Sequence, residues 1–351
     1  MIRRLFNACL LRPGDVQPSH SDLEVVGTFN PGAVVVGDEV VLLVRVAERP
    51  RERRAGFTAL PRWDADSGIV VDWVPDDELY VVDQRVVRYK EDGTVRLTFI
   101  SHLLTVRSSD GRSVDSVDGP RFRPELEHEE YGVEDPRITR IGDMFYFTYV
   151  AVSRHGAATA SASTADFQTF SRHGIIFCPE NKDVVLFPEQ IGGAYVALHR
   201  PHAATRFTAP EMWLASSSDL LHWGRHEPLR TGIATWAAGR TGAGTPPIRT
   251  PEGWLEVYHG NDKGVDGPGI GTYAAGTLLL DIKQPHRLLG RSIGPVLMPE
   301  TEFEQDGFVP NVVFPTGIVE RDQTVLLYYG AADTAVGVVE LSRAELLASV
   351  H

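Results

Sequence analysis

One frame returns five times along this 351-residue chain, and it restricts the fold more than any other feature. A polar or proline-containing loop leads into a short apolar strand, then a turn, then a second apolar strand. The instances are FNPGAVVVGDEVVLLVRV (29–46), EDPRITRIGDMFYFTYV (134–150), KDVVLFPEQIGGAYVALHR (182–200), TPPIRTPEGWLEVYHG (245–260) and PNVVFPTGIVERDQTVLLYYG (310–330). Their β-branched and aromatic runs, bounded by Gly, Pro and Asp, read as strands. Two units continue into further strand-like segments at 161–174 and 214–229. The corresponding loop starts are Asn30, Asp135, Asp183, Thr245 and Asn311, spaced about 48 to 105 residues apart. A hairpin repeated at this spacing is the sequence signature of a propeller. The expectation is an all-β, five-bladed β-propeller spanning 1–351 as one domain, with an insertion around 50–130. A β-sandwich with coincidental similarity is the competing architecture. Helical periodicity is confined to the end, where Ser342 is placed to cap a turn containing Glu345.

Bulk properties exclude several functions. A net charge of −13 argues against general nucleic-acid binding, which needs clustered Lys and Arg to displace counterions. Against that background, basic residues gathered into a pocket are informative. RPRERR (49–54) reads as a solvated loop. Two cysteines give no disulfide framework and suit a reducing compartment. No apolar run nears the ~18 residues of a membrane span, and MIRRLFNACLLRPGD lacks the long apolar stretch of a signal peptide. A cytoplasmic protein is expected. The twelve histidines show no metal-ligand spacing, so no metal site is expected. Nothing in the sequence decides for or against a homo-oligomer.

In a propeller, loops entering the inner strands converge on one mouth of the central channel. The five loop starts would then face a common pocket, with Arg45, Arg200, His259 and Asp333 beside them. Taken singly each signal is modest: Asp-Pro-Arg is often a turn, and His259 on base rates is structural. Their recurrence at equivalent positions is what suggests a polar cavity suited to a sugar and an anion.

At GVEDPRIT (132–139) the chain resembles glycoside hydrolase family 130, the β-mannoside phosphorylases and related β-1,2-mannosidases. FNPGA with Arg45, NKDVVLFPEQIGG (181–193), ALHRP (197–201), GTPPIRTPEGWLEVYHG (244–260), YAAGTLLLD (273–281), VPNVVFP (309–315) and YYGAADT (328–334) extend the resemblance over most of the chain. It implies the propeller fold and a manno-oligosaccharide substrate. It implies that Asp135 is the general acid, protonating the leaving oxygen through the 3-hydroxyl of the mannosyl unit. Asn30, Arg45, Asp183 and Asp333 are then substrate-binding. Lys182, Arg200, Arg240, His259 and Tyr273 form the implied phosphate site. Lys182 stands where the family often has Arg, and Arg240 where it has Lys; charge is kept, geometry is not. Glu134 nearby would raise the Asp135 pKa and Arg137 would lower it.

The leading expectation is inverting phosphorolysis of β-1,2- or β-1,4-linked mannosides to α-mannose 1-phosphate, with inorganic phosphate as co-substrate and no cofactor. The alternative is an inverting β-1,2-mannosidase, for which Glu189, Asp183 and Glu302 are the acids available to activate water. A non-catalytic sugar-binding propeller is a third reading, disfavoured because a lectin does not need Asp135.

Overall fold

A computed structural model describes residues 1–202, 207, 209–232, 234–262 and 270–350 of the chain. Strands dominate. They are arranged in five antiparallel units, in which most pairings join strands adjacent along the chain. The first unit runs Leu23–Val36, Glu39–Pro50, Ile100–Ser108 and Arg121–Phe122, and the second runs Gly132–Ile141, Met144–Ser153, Gly156–Thr164 and Ser171–Phe177. These two share a sheet through a single parallel pairing, Gly132 with Ser101. The third comprises Asn181–Leu186, Tyr195–Pro201, Trp213–Ser217 and Trp223–Pro228. Arg240–Ala243, Trp254–Asn261, Tyr273–Leu280 and Leu288–Arg291 form the fourth, with Ile248–Arg249 on its second strand. The fifth takes Val313–Glu320, Thr324–Ala331 and Ala335–Ser342 and completes itself with the N-terminal strand Phe6–Leu11. Ser342 caps the short helix Arg343–Ala348 by accepting from the Glu345 amide.

The apolar core is divided among the units rather than pooled. One cluster joins Val41, Leu43 and Leu103 of the first unit to Phe147 and Tyr149 of the second. Another joins Phe177 to Leu186 and Ala197, and a third joins Leu198 and Leu214 to Trp254 and Leu278. Leu255 and Val257 meet Leu327 and Tyr329 in a fourth. In the fifth, Leu326, Tyr328 and Val338 of the last unit pack on Leu42, Val44 and Leu104 of the first. Sheets that are apolar on both faces need neighbours to cover them, and these shared clusters supply them.

Between Pro50 and Ile100 the chain leaves the main sheets. It forms a hairpin, Phe57–Asp64 with Gly68–Pro75, and a three-stranded sheet of Leu79–Val81, Val86–Tyr89 and Val95–Leu97. The arginines of 49–54 are surface groups, with Arg49 and Arg53 on Glu24 and Arg54 on Glu52 and the Trp73 ring. Among the described residues no helix is long and apolar enough to cross a membrane.

Three of the five loop starts lie within strands. Asn30, Asp135 and Asp183 have φ of 48°, 50° and 56°, and each interrupts the register of its unit's first strand. A bulge re-aims one side chain without ending the strand. Asn and Asp are the non-glycine residues that tolerate the left-handed region best, so the recurrent polar residue is also a conformational requirement.

The Phe6–Leu11 strand covers the edge of the fifth unit and buries Leu11 in the core shared with the first. Deleting residues 1–11 should cost at least ~1.5 kcal/mol of unfolding free energy, since a buried leucine alone is worth about 1.5–3 kcal/mol. Urea unfolding of the truncated chain checks this.

Candidate active site

The bulged strands aim their polar residues into a cavity of about 330 Å³. Asn30, Arg45, Asp135, Lys182, Asp183, Arg200, Arg240, Tyr273 and Asp333 all line it. His259, fully buried, stands behind, with its Nε2 3.1 Å from Asp183. Thr245 and Asn311 are not among the lining residues: Thr245 is buried with its amide on the Val257 carbonyl, and Asn311 is exposed. The fourth unit's first strand ends at Ala243, before Thr245, and Arg240 reaches the cavity from that strand instead.

The Arg45 guanidinium joins two adjacent carboxylates. Nη1 donates to Asp135 at 2.8 Å and Nη2 to Glu134 at 2.6 Å, while Nε donates to Ser101 at 3.2 Å. The rings of Phe29 and Phe99 flank it, at 4.6 and 5.5 Å. Asn30 Nδ2 also donates to Asp135, at 2.8 Å. Gly330 makes room for this: a Cβ there would collide with Asn30 Oδ1. Burial alone would raise the Asp135 carboxyl, but the charges of Arg45 and Arg137 and the Asn30 hydrogen bond hold it below its ordinary range. Glu134 goes the other way, raised by burial against the pull of Arg45. Asp135 is therefore held ionised at neutral pH, with both carboxylates on the Arg45 guanidinium.

Asp183 is almost completely buried and fully occupied. Arg200 donates to Oδ2 at 2.7 Å, His259 lies on the same oxygen, and Arg137 Nη2 donates to Oδ1 at 3.2 Å. Burial would raise this carboxyl; Arg200, His259 and Arg137 bring it well below the usual range. Burial holds His259 below its own ordinary range, so at neutral pH it donates as a neutral imidazole and the two arginines carry the charge balance. Gly242 is obligatory here, because a Cβ would strike Asp183 Oδ2 and His259 Nε2. Arg137 also donates to the carbonyls of Asp135 and Gly244, tying three units together.

Asp333, at φ 48° in the turn between the last two strands, faces the cavity from the fifth unit. Burial raises its carboxyl while Arg85 and Arg45 oppose the shift. Arg85 and Glu134 were not selected from the sequence as site residues. The pattern Asp-Gln-Arg at 83–85 sits in the 50–130 stretch with no repeat to align it, whereas Glu134 adjoins a selected residue.

With Glu134 and Asp135 on Arg45, Asp333 on Arg85, and Asp183 on Arg137 and Arg200, two cavity cations are left over. Among the described residues neither Lys182 nor Arg240 enters an ion pair, and Arg240 Nε is buried without a hydrogen-bond partner. Glu189 is half exposed and pairs with Arg249; Glu302 is exposed at a helix start, and neither lines the cavity. No group of three or more His, Cys, Asp or Glu placed to hold a metal occurs among the described residues.

Comparison with known proteins settles the lineage. Residues 67–351 match the model of glycoside hydrolase family 130, described as β-1,4-mannooligosaccharide phosphorylase. The chain belongs to glycoside hydrolase family 130. It is 38% identical to a β-1,2-mannobiose phosphorylase of Listeria innocua over 345 residues, 96% of this chain and 95% of that one. A 1,2-β-oligomannan phosphorylase of Thermoanaerobacter is 36% identical over 71% of this chain and 81% of its own. The solved structure of the Listeria innocua β-1,2-mannobiose phosphorylase in complex with β-1,2-mannobiose superimposes with a TM-score of 0.90, covering 97% of this chain and 96% of that one at 36% identity.

Two substitutions test the electrostatics of this family 130 site. Asp183→Asn leaves Arg137 and Arg200 buried without a counter-charge, which costs about 3–5 kcal/mol. The carboxyl's folded pKa is depressed, so its contribution is complete above the ordinary value of 3.8 and is lost only as pH falls through the lowered one. Urea unfolding should show the full gap at neutral pH, narrowing below about 3.8.

Glu256 behaves oppositely. It is fully buried, accepts from the Gly244 amide at 2.9 Å and leaves Oε2 unpaired, and burial pushes its carboxyl up to about 8. A raised acid stabilises the fold below its ordinary 4.5 and loses that contribution as pH climbs towards about 8. Unfolding profiles between those pH values should fall for the wild type and stay flatter for Glu256→Gln.

Proposed function

We propose that this protein is an inverting β-mannoside phosphorylase acting on β-1,2-linked manno-oligosaccharides. The observation that carries the reading is the pair of uncompensated cations, Lys182 and Arg240, beside Arg200 in a cavity whose four carboxylates are each matched by an arginine. A dianion settles where cations and buried donors converge without counter-charges of their own. Family membership supports phosphorolysis, and the names of the two nearly or largely co-extensive relatives support the β-1,2 linkage. The five units, packed pairwise with the last on the first, are read as blades of a five-bladed propeller with the cavity at its mouth.

In this reading Asn30, Arg45 and Asp333 hold the mannosyl hydroxyls. Phosphate sits on Lys182, Arg200 and Arg240, with Tyr273 at its side. Asp183 and His259 do not meet the ligand; they orient Arg200 from behind. A phosphate oxygen attacks the anomeric carbon from the face opposite the departing sugar, the carbon–oxygen bond to that sugar breaks, and inversion gives α-mannose 1-phosphate. Hydrogen phosphate plus the mannoside gives the sugar phosphate plus a free hydroxyl, so the proton the phosphate carries is the one the leaving group needs. Asp135, held ionised by Arg45 and Arg137, is suited to relay that proton, through the mannosyl 3-hydroxyl, rather than to store one. Arrival of a dianion nearby would raise its pKa at the moment the relay is required.

Hydrolysis needs a carboxylate that activates water. Asp183 is consumed by ion pairs, and Glu189 and Glu302 lie elsewhere.

Turnover of β-1,2-mannobiose should depend on phosphate and saturate with it. β-1,4-Mannobiose should react more slowly. Asp135→Asn should lower kcat by ~10²–10⁴-fold with the fold intact. Free mannose released at full rate without phosphate would reverse the assignment to a mannosidase, and a faster β-1,4 reaction would reverse the linkage.

A further inference from the structure

The excursion between Pro50 and Ile100 supplies one wall of the cavity: Arg85, Val86, Leu97 and Phe99 all line it. Val86 and Leu97 are cross-strand partners in its three-stranded sheet, so this wall is a folded element rather than a loose loop. Arg85 is held on both sides of its side chain. Its amide donates to Asp83 Oδ1 at 2.8 Å and its Nη2 to Asp83 Oδ2 at 3.0 Å, while its carbonyl accepts from the Thr98 amide at 2.9 Å. The free end of the guanidinium, Nη1, then reaches across the cavity and donates to Asp333 Oδ2 at 2.9 Å. Those residues lie 248 positions apart, and this bond joins the excursion to the fifth unit.

Building on the phosphorylase reading, we propose that Arg85 is a positioning residue for sugar binding: clamped by Asp83, it fixes Asp333 with Oδ2 engaged and Oδ1 left to accept a mannosyl hydroxyl. Arg85 is the only hydrogen-bond donor to the Asp333 side chain among the described residues. Without it that carboxylate has neither a fixed rotamer nor a partner, in a place where burial already favours its protonated form. The charged and titratable groups facing Asp333 are Arg85, Arg45, Asp135 and Tyr273. Arg45 is committed to Glu134 and Asp135, so it cannot replace Arg85 as a donor. Specificity follows from the same contact, since the excursion must be docked for its apolar residues to shape the sugar subsite.

The test compares Arg85→Ala, Arg85→Lys and Asp83→Asn with the wild type, measuring KM for mannoside and for phosphate separately and the pH profile of kcat/KM. Arg85→Ala should raise the mannoside KM about ten-fold or more, the loss of one charge-assisted hydrogen bond, and leave the phosphate KM within about two-fold. Its acid limb should move to higher pH, because removing the arginine's charge lets Asp333 take up a proton sooner. Arg85→Lys should restore the limb but only part of the affinity, since the charge returns without the two-sided fork. Asp83→Asn should fall between wild type and Arg85→Ala. An Arg85→Ala enzyme with unchanged mannoside KM and acid limb overturns the proposal, as does one in which both KM values rise equally. If that variant does not fold, the lysine and Asp83 variants decide by the same readouts. If the wild type proves not to be a phosphorylase, titration calorimetry with mannose still decides: equal affinity in wild type and Arg85→Lys overturns the proposal, while weaker binding in the variant upholds it.

Discussion

A carboxylate cut off from water must be matched by charge or take up a proton, and the way Asp183 is matched organises much of this molecule. Arg137 reaches it from the second unit, Arg200 from the third and His259 from the fourth, so one buried side chain joins three units around the cavity. Arg137 extends the link to the backbone of Asp135 and Gly244. The arrangement also fixes what the cavity can bind. Because Asp183 absorbs Arg200 and Arg137, it presents little negative charge to an incoming ligand, and Lys182 and Arg240 remain to attract an anion. A carboxylate that in isolation would repel phosphate thus becomes the support of the proposed phosphate site.

A second physical device recurs in the strands. A β-strand alternates its side chains, and a regular strand would not place a polar residue at this depth without breaking its apolar face. The left-handed bulges at Asn30, Asp135 and Asp183 resolve the conflict locally. They add a residue, turn its side chain into the cavity and let the strand resume. Arg45 then bridges Glu134 and Asp135, so the proposed relay acid and the sugar-binding groups are rigid relative to one another before any ligand arrives.

The repeat was legible in the sequence because the units share one pattern: a polar loop start, a short apolar strand, a turn, and a second apolar strand ending in Tyr, His or Arg. Nine of the ten selected residues line the cavity, six of them marked by the repeat and Lys182, Arg240 and Tyr273 by the family resemblance, and His259 stands directly behind it. The frame failed at Thr245 and Asn311, where the loop start and the cavity-facing residue are not the same position. It also failed at Arg85. That residue belongs to an excursion with no counterpart in the other units, and its partner Asp333 is 248 positions away. No local pattern records such a contact. The balance of charges was equally hidden: sequence placed Arg137 and Glu134 beside Asp135, but only the geometry shows Arg45 and Arg137 outweighing burial there.

The central claim is that charge left uncompensated at Lys182 and Arg240 makes this cavity a phosphate site. A crystal structure of the protein with phosphate and mannose bound tests it most directly. The account predicts the anion within hydrogen-bond distance of Lys182, Arg200 and Arg240 Nε, on the side of the mannose anomeric carbon away from the position of the leaving sugar. An anion bound elsewhere, with Lys182 and Arg240 still without a partner, would contradict it.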